Sequence, residues 1–185
     1  MEKAHVLEVL KEVKKALHDK DVVKLRDLSN ETIHSASVEQ EEFSIALAVI
    51  VYSLSKIIER TNYQRYPGWK AFIKQSTLHL EKAARFLEKD NINKFKESIL
   101  QIEKLINKLT GNFKTHVQQV FEKARINKAS RIYEHGISME KTANLLGVTI
   151  FELAEYAGQT GISDIDLSIS IPVEKRIKYV MDIFK

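Results

Sequence analysis

The sequence contains no cysteine, only two prolines and only six glycines among its 185 residues. Without cysteine there is no disulfide framework, no thiolate zinc site and no cysteine nucleophile. The scarcity of glycine and proline leaves little material for the many turns of an all-β protein. We therefore expect a mainly α-helical protein.

Long apolar runs are also missing from the sequence. The longest uncharged run, residues 43–55, is shorter than the roughly 20 residues that a membrane-spanning helix needs. Residues 1–17 are charged and amphipathic, without the apolar core and small-residue cleavage site of a secretory signal. The sequence therefore predicts a cytoplasmic protein with no membrane partner.

Neither sign of charge dominates the composition. The chain has 29 Lys and Arg residues against 25 Asp and Glu residues, a formal net charge of +4. Binding to nucleic acid usually depends on a concentrated basic face, because phosphate contacts supply most of the non-specific affinity. The overall charge therefore permits nucleic-acid binding without demanding it.

Apolar residues recur with a helical period along most of the chain. Residues 40–61 are apolar almost all round, which predicts a helix buried at the centre of a bundle. Because the other stripes are joined by short connections, neighbouring helices are expected to be antiparallel. The predicted architecture is a helical bundle over residues 1–112, a long connecting helix over 113–135 and a helix-turn-helix segment with a C-terminal helix over 136–185.

Two features near the C-terminus complete the predicted fold. Residues 166–171, DLSISI, alternate between apolar and polar side chains, which is the pattern of a short strand. Pro172 suits the first position of a final helix. The predicted fold is therefore mainly α, with at most one short strand.

Residues 138–158, SMEKTANLLGVTIFELAEYAG, have the features of two short helices joined by a tight turn. Ser138 can cap the first helix, and Gly147 can supply the positive φ that the turn requires. Thr149 can cap the second helix, and Glu152 three residues later completes a capping box. This spacing predicts a helix-turn-helix.

The run ASRIYEHGISMEKTANLLGVTIFELAEYAGQTGI resembles the core of small prokaryotic helix-turn-helix proteins of the antitoxin-like kind. These proteins share a small helix with the pattern AA-x-L-x-GVS and a second helix ending in GI. The resemblance covers about residues 128–162 and does not extend to residues 1–115. It implies DNA binding and regulation by a bound partner.

A DNA-binding role predicts particular contacts. Basic side chains on the long helix and the first short helix would hold phosphates, and polar side chains around the second short helix would approach bases. The predicted residues are Lys123, Lys128, Arg131 and Lys141 for phosphates, and Thr149 and Gln159 for bases. A homodimer is expected, because a second half-site compensates for weak contacts at the first.

The second short helix also supports a different interpretation. It carries Glu152 and Glu155 and no Lys or Arg, although phosphates repel carboxylates and base readout favours Arg, Lys, Asn and Gln. In this alternative, Ile150 and Phe151 are apolar contacts to a protein partner. The chain would then be a protein-interaction adaptor.

Residues 60–74, RTNYQRYPGWKAFIK, form another candidate binding site. Arg60, Arg65 and Lys70 alternate with aromatic residues that include Trp69. Cations for phosphates together with rings for stacking are what a binder of single-stranded nucleic acid needs. The stretch therefore predicts a patch for RNA or another anion. The preferred interpretation, however, is a loop at the end of the bundle, with Trp69 and Phe72 in the core and the cations exposed.

Motifs for catalysis and for metal binding are missing. The sequence has no phosphate-binding glycine loop, no Gly-x-Ser-x-Gly and no His-Glu-x-x-His. Glu31 and His34 form one Glu-x-x-His step, but a di-iron bundle needs two such steps and two further carboxylates. We predict no catalytic residue, no metal site and no cofactor, and a regulatory function in which DNA, a protein or single-stranded nucleic acid is the partner.

Overall fold

The computed structural model describes residues 3–39 and 42–160, which form eight α-helices and one short 3-10 helix. The expected mainly α fold is confirmed. None of the described helices is long and apolar enough to cross a membrane. The helices are α1 (Lys3–Asp19), α2 (Val22–Glu39), α3 (Glu42–Glu59), α4 (Trp69–Glu88), α5 (Ile92–Ile106), α6 (Gly111–Glu134), α7 (Met139–Leu146) and α8 (Ile150–Thr160). The strand expected at 166–171 and the helix expected after Pro172 lie outside the described residues.

Tight, capped turns fold consecutive helices back on each other. The turn before α2 contains Lys20 with a φ of 56°, and Asp21 Oδ1 then accepts a hydrogen bond from the Lys24 N–H (2.9 Å). The turn before α5 repeats this arrangement, with Asn91 Oδ1 accepting from the Lys94 N–H (3.1 Å). These side chains satisfy N–H groups that have no partner within the helix. As a result α1 packs along α2, and α4 packs along α5.

Helix α3 lies at the centre of the fold, as its all-round apolar sequence predicts. It contacts α2, α5, α6 and α7, and nearly all its described side chains are buried. Buried hydroxyl groups of α3 form hydrogen bonds within the helix. The Ser53 hydroxyl, for example, donates to the Val49 carbonyl (2.8 Å). The Ser29 hydroxyl of α2 donates to the Ala48 carbonyl of α3 (2.7 Å), which ties the two helices together. The core therefore tolerates these hydroxyls without leaving them unpaired.

The buried apolar side chains form two clusters. The bundle cluster runs from α1 to the first half of α6 and includes Leu10, Phe95 and Phe113. The junction cluster joins α2, α3 and the second half of α6 to α7 and α8. Its buried members are Ile33, Ala36, Ile45, Ala48, Val49, Ala124, Ala129, Ile132, Ala143, Leu146 and Leu153. The last two helices are therefore packed on the bundle through an apolar interface.

Candidate functional site

The turn between α7 and α8 is built by the residues expected from the sequence. Ser138 Oγ accepts a hydrogen bond from the Lys141 N–H (3.3 Å) at the start of α7. Gly147 ends that helix with a φ of 64°, and the Val148 N–H donates to the Ala143 carbonyl (3.1 Å). A residue with a Cβ adopts this φ at an energetic cost, so glycine suits the position. The predicted cap and turn glycine are confirmed.

The predicted capping box at the start of α8 is also present. The Thr149 N–H donates to Glu152 Oε2 (2.8 Å), and the Glu152 N–H donates to Thr149 Oγ1 (3.1 Å). The Thr149 hydroxyl donates to the same Glu152 oxygen (2.7 Å). These bonds, with the backbone N–H first, hold the pKa of Glu152 below its ordinary value. Both side chains are thus occupied at the helix start, and the Thr149 contact to a base stays a prediction.

The inner faces of α7 and α8 are fixed to α6. Ala143, Leu146 and Leu153 are buried in the junction cluster. The phenol oxygen of Tyr156 accepts a hydrogen bond from Asn127 Nδ2 of α6 (3.1 Å). Because Ala143 has a small side chain, α7 can pack closely against the other helices of this cluster. This packing determines which side chains of α8 face solvent.

The outer face of α8 is apolar at its first turn and acidic beyond it. Ile150 is 46% exposed and Phe151 is 86% exposed. Further along, Gln159 Nε2 donates to Glu155 Oε1 (3.2 Å), and both side chains are exposed. No Lys or Arg lies in α8. An exposed aromatic side chain next to carboxylates is the main chemical feature of this surface.

The residues predicted to hold phosphates do not all face solvent. Lys123, Arg131 and Lys141 are exposed. Arg131 Nη1 also forms an ion pair with Glu134 Oε2 (3.0 Å). The prediction for Lys128 is wrong, because this side chain is fully buried and cannot contact DNA.

Lys128 is enclosed between α2, α3 and α6. Its ammonium donates to Asn30 Oδ1 (2.8 Å) and lies 4.4 Å from the centre of the Tyr52 ring. Burial, and to a lesser extent the nearby charge of Arg131, lower its pKa from 10.5 to about 7. Lys128 therefore belongs to the interface between helices, where a change of protonation affects folding.

The stretch 60–74 forms a compact corner of the bundle. It consists of the 3-10 helix Thr61–Arg65, a turn and the start of α4. Arg60, Arg65 and Lys70 are exposed, whereas Trp69 is buried in the bundle cluster. The prediction that Trp69 stacks on nucleic-acid bases is therefore wrong, because α4 turns the indole into the core. The preferred interpretation, a loop with Trp69 in the core and the cations exposed, describes this corner correctly.

The aromatic rings of that corner pack on α6. The Tyr66 ring stacks on Phe113, with ring centres 5.6 Å apart, and the Tyr63 ring stacks on His116 at 5.3 Å. Arg60 Nη1 donates to the phenol oxygen of Tyr63 (2.6 Å). These rings pack against other side chains of the protein. The exposed cations are therefore the groups of this corner that a ligand can reach.

Three predicted binding residues from distant parts of the sequence line one groove. Arg60 follows α3, Lys123 lies in the middle of α6, and Gln159 lies near the end of α8. The groove between these helices has a volume of about 490 Å³. Arg65, Lys70, Arg131 and Lys141 do not line it. The structure therefore divides the exposed members of the predicted set between a groove and an open surface.

One candidate functional contact was not indicated by the sequence. His34 Nδ1 of α2 lies 3.1 Å from His135 Nε2, just beyond the end of α6. Burial first, and then the neighbouring His34, lower the pKa of His135 below its ordinary value. Two imidazolium rings cannot share this hydrogen bond, because both nitrogens would be donors. A separation of 101 residues explains why no local pattern pointed to the pair.

Comparison with known proteins gives no match: no family model, no curated protein and no solved structure is found to be similar to this chain.

Proposed function

We propose that this chain is a regulatory protein that binds a partner protein through Ile150 and Phe151 on the first turn of α8. The exposure of Phe151, at 86%, is the observation that carries the proposal. Aromatic residues of this kind supply much of the binding energy in protein interfaces, whereas their exposure to water is unfavourable. Regulation by a bound partner is also what the resemblance of residues 128–162 implies.

The chemistry around Phe151 suggests the character of the partner. Glu152 and Glu155 lie on the same exposed helix, and no basic side chain accompanies them on α8. A complementary surface would offer an apolar pocket for the phenyl ring, bordered by basic side chains. The acidic residues would then favour the correct orientation and faster association.

Site-specific crosslinking in cells that express the protein tests this proposal. A photo-reactive phenylalanine analogue at position 151 is expected to crosslink to one dominant protein. Leu100 of α5 is a matched control position, because it is also apolar and 51% exposed. The same analogue at position 100 should give no such product. Equal crosslinking at the two positions, or none at position 151, would contradict the proposal.

Binding of the crosslinked protein, once purified, gives the second measurement. Phe151→Ala is expected to weaken the complex by roughly 30-fold or more, as for a central interface residue that contributes about 2 kcal/mol. Leu100→Ala should bind like the unchanged protein. A crosslink to a second copy of this chain would identify the surface as the interface of the expected homodimer, and sedimentation of Phe151→Ala would then show monomers.

Duplex DNA is a second candidate partner. It is favoured by the capped turn between α7 and α8 and by three exposed cations on α6 and α7. These are Lys123, Arg131 and Lys141. The test replaces all three by Ala and measures duplex binding over a series of salt concentrations. If all three contact phosphates, the slope of log K against log salt becomes about 2.7 smaller, since each phosphate contact contributes about 0.9.

The DNA candidate has its own matched control. Arg65→Ala, Lys70→Ala and Lys74→Ala together remove three exposed cations from the corner formed by residues 60–74. This variant should keep the salt slope of the unchanged protein. Undetectable duplex binding at low salt, or the same reduction of slope in both variants, would exclude this role for the cations near α7. Lys128 is unsuitable for such tests, because its replacement alters the core.

A further inference from the structure

The groove between the end of α3, the middle of α6 and α8 has the dimensions of a small-molecule site. Its volume of about 490 Å³ falls within the range of roughly 300–1,000 Å³ that is typical of ligand pockets. The half-buried Ile126 of α6 provides apolar surface, and the rings of Tyr52 and Tyr156 line the sides. The space is several times larger than an inorganic ion needs, so an occupant would have an apolar or aromatic body.

One side of the groove is cationic. Lys56, Arg60 and Lys123 all line it. The Arg60 guanidinium lies 5.2 Å from the centre of the Tyr63 ring and donates one N–H to the Tyr63 phenol oxygen. This contact positions the side chain and uses one of its five N–H donors, which leaves the others for a ligand. Within residues 3–39 and 42–160, the Lys123 side chain has no ion-pair or hydrogen-bond partner.

Two carboxylates, those of Glu152 and Glu155, also line the groove, and Glu59 lies between Lys56 and Arg60 in the sequence; each of the three is held by partners of its own. Glu59 pairs with Lys56 (2.8 Å) and Arg26 (3.7 Å). On the opposite side, Glu152 accepts the two Thr149 bonds of the capping box, and Glu155 accepts from Gln159. None of these carboxylates contacts Arg60 or Lys123 among the described ion pairs. The cationic side therefore remains available to an anion.

We propose that this groove binds a small organic phosphate, with the phosphate against Arg60 and Lys123 and the apolar or aromatic body against Ile126, Tyr52 and Tyr156. Arg60 offers a planar pair of N–H donors to phosphate oxygens, and Lys123 adds a point charge. The Asn127 and Tyr156 side chains, joined by their own hydrogen bond, offer polar groups at the far end. This proposal does not depend on the proposed protein partner, because neither Ile150 nor Phe151 lines the groove.

Calorimetry with the full chain tests the site with defined probes. The probes are adenosine monophosphate, phenyl phosphate, inorganic phosphate and benzoate. At least one of the two organic phosphates is expected to bind more tightly than inorganic phosphate and benzoate. Arg60→Ala and Lys123→Ala should each weaken that binding by roughly tenfold, which corresponds to the loss of one charge-assisted hydrogen bond.

Matched variants and a site-resolved readout make the result decisive. Arg65→Ala removes an exposed cation of the same corner that does not line the groove, and it should leave the affinity unchanged. In a two-dimensional amide NMR spectrum, the organic phosphate should shift the Asn127 side-chain amide and the resonances of α8. The proposal is overturned if neither organic phosphate binds at millimolar concentration, if benzoate binds as tightly, or if Arg65→Ala weakens binding as much as Arg60→Ala.

Discussion

Replacing Lys128 by Met is expected to make the protein more stable at neutral pH and to remove much of its pH dependence above pH 7. The ammonium is fully buried, and its pKa falls from 10.5 to about 7 in the folded protein. Between these two pH values the unfolded chain binds a proton that the folded chain does not. The free energy of unfolding therefore rises with pH over this window, by about 2 kcal/mol between pH 7 and pH 9.

Methionine has a similar length and no charge to desolvate. It loses the hydrogen bond to Asn30 and the contact with the Tyr52 ring, but it needs no proton exchange on folding. We expect a gain of about 1–4 kcal/mol at pH 7, as when buried charges elsewhere are replaced by apolar groups. Urea unfolding at several pH values measures this directly.

The matched control for this prediction lies on the same helix. Lys123 is exposed, and Lys123→Met should reproduce the pH dependence of the unchanged protein. If Lys128→Met and the unchanged protein gave parallel curves between pH 7 and pH 9, Lys128 would be charged in the folded protein throughout that range. Its burial would then be compensated by Asn30 and Tyr52 more completely than the lowered pKa indicates.

The second large effect is expected for Leu153→Ala. Leu153 is fully buried in the junction cluster, which contains residues of α2, α3, α6 and α7. Truncating a buried leucine to alanine typically costs about 2–5 kcal/mol, because it removes apolar contacts and leaves a cavity. We expect the free energy of unfolding of the whole protein to decrease, since α8 contacts α6, and α7 contacts both α6 and α3.

Two spectroscopic probes distinguish a global effect from a local one. Trp69 lies in α4, within the bundle cluster, so its fluorescence reports on the bundle, while circular dichroism reports on all helices. In Leu153→Ala both unfolding transitions should move together. A shift in circular dichroism alone would mean that α7 and α8 unfold independently of the bundle. Ile150→Ala, on the exposed side of α8, should change stability by less than about 0.5 kcal/mol.

Local features of the sequence were sufficient to predict the helices and the α7–α8 turn. The Ser138 cap, the Gly147 turn and the Thr149–Glu152 capping box depend on residues within four positions of each other. The central position of α3 followed from its lack of a polar face. By contrast, the 3-10 turns that end α5 at Ile106 were not apparent from the sequence.

The errors arose where burial depends on partners far away in the chain. Lys128 follows Ala124 by four residues and so continues the apolar stripe of α6, but its charge suggested solvent. Its acceptor, Asn30, is 98 residues distant. Trp69 similarly begins the buried stripe of α4, and its aromatic character suggested a binding role. In both cases helical periodicity was a better guide to exposure than residue type.

The two clusters also differ in when they can be completed during synthesis. All members of the bundle cluster lie before residue 122, so it can close once α6 has begun to leave the ribosome. In the junction cluster, Ile33 and Ile45 become covered only after Leu146 and Leu153, about a hundred residues later in the chain, have been synthesised. A nascent chain therefore carries an uncovered apolar patch on α2 and α3 until its last described helices emerge. Ribosomes that stall before α7 would release chains with this patch exposed, and such chains would be substrates for chaperones.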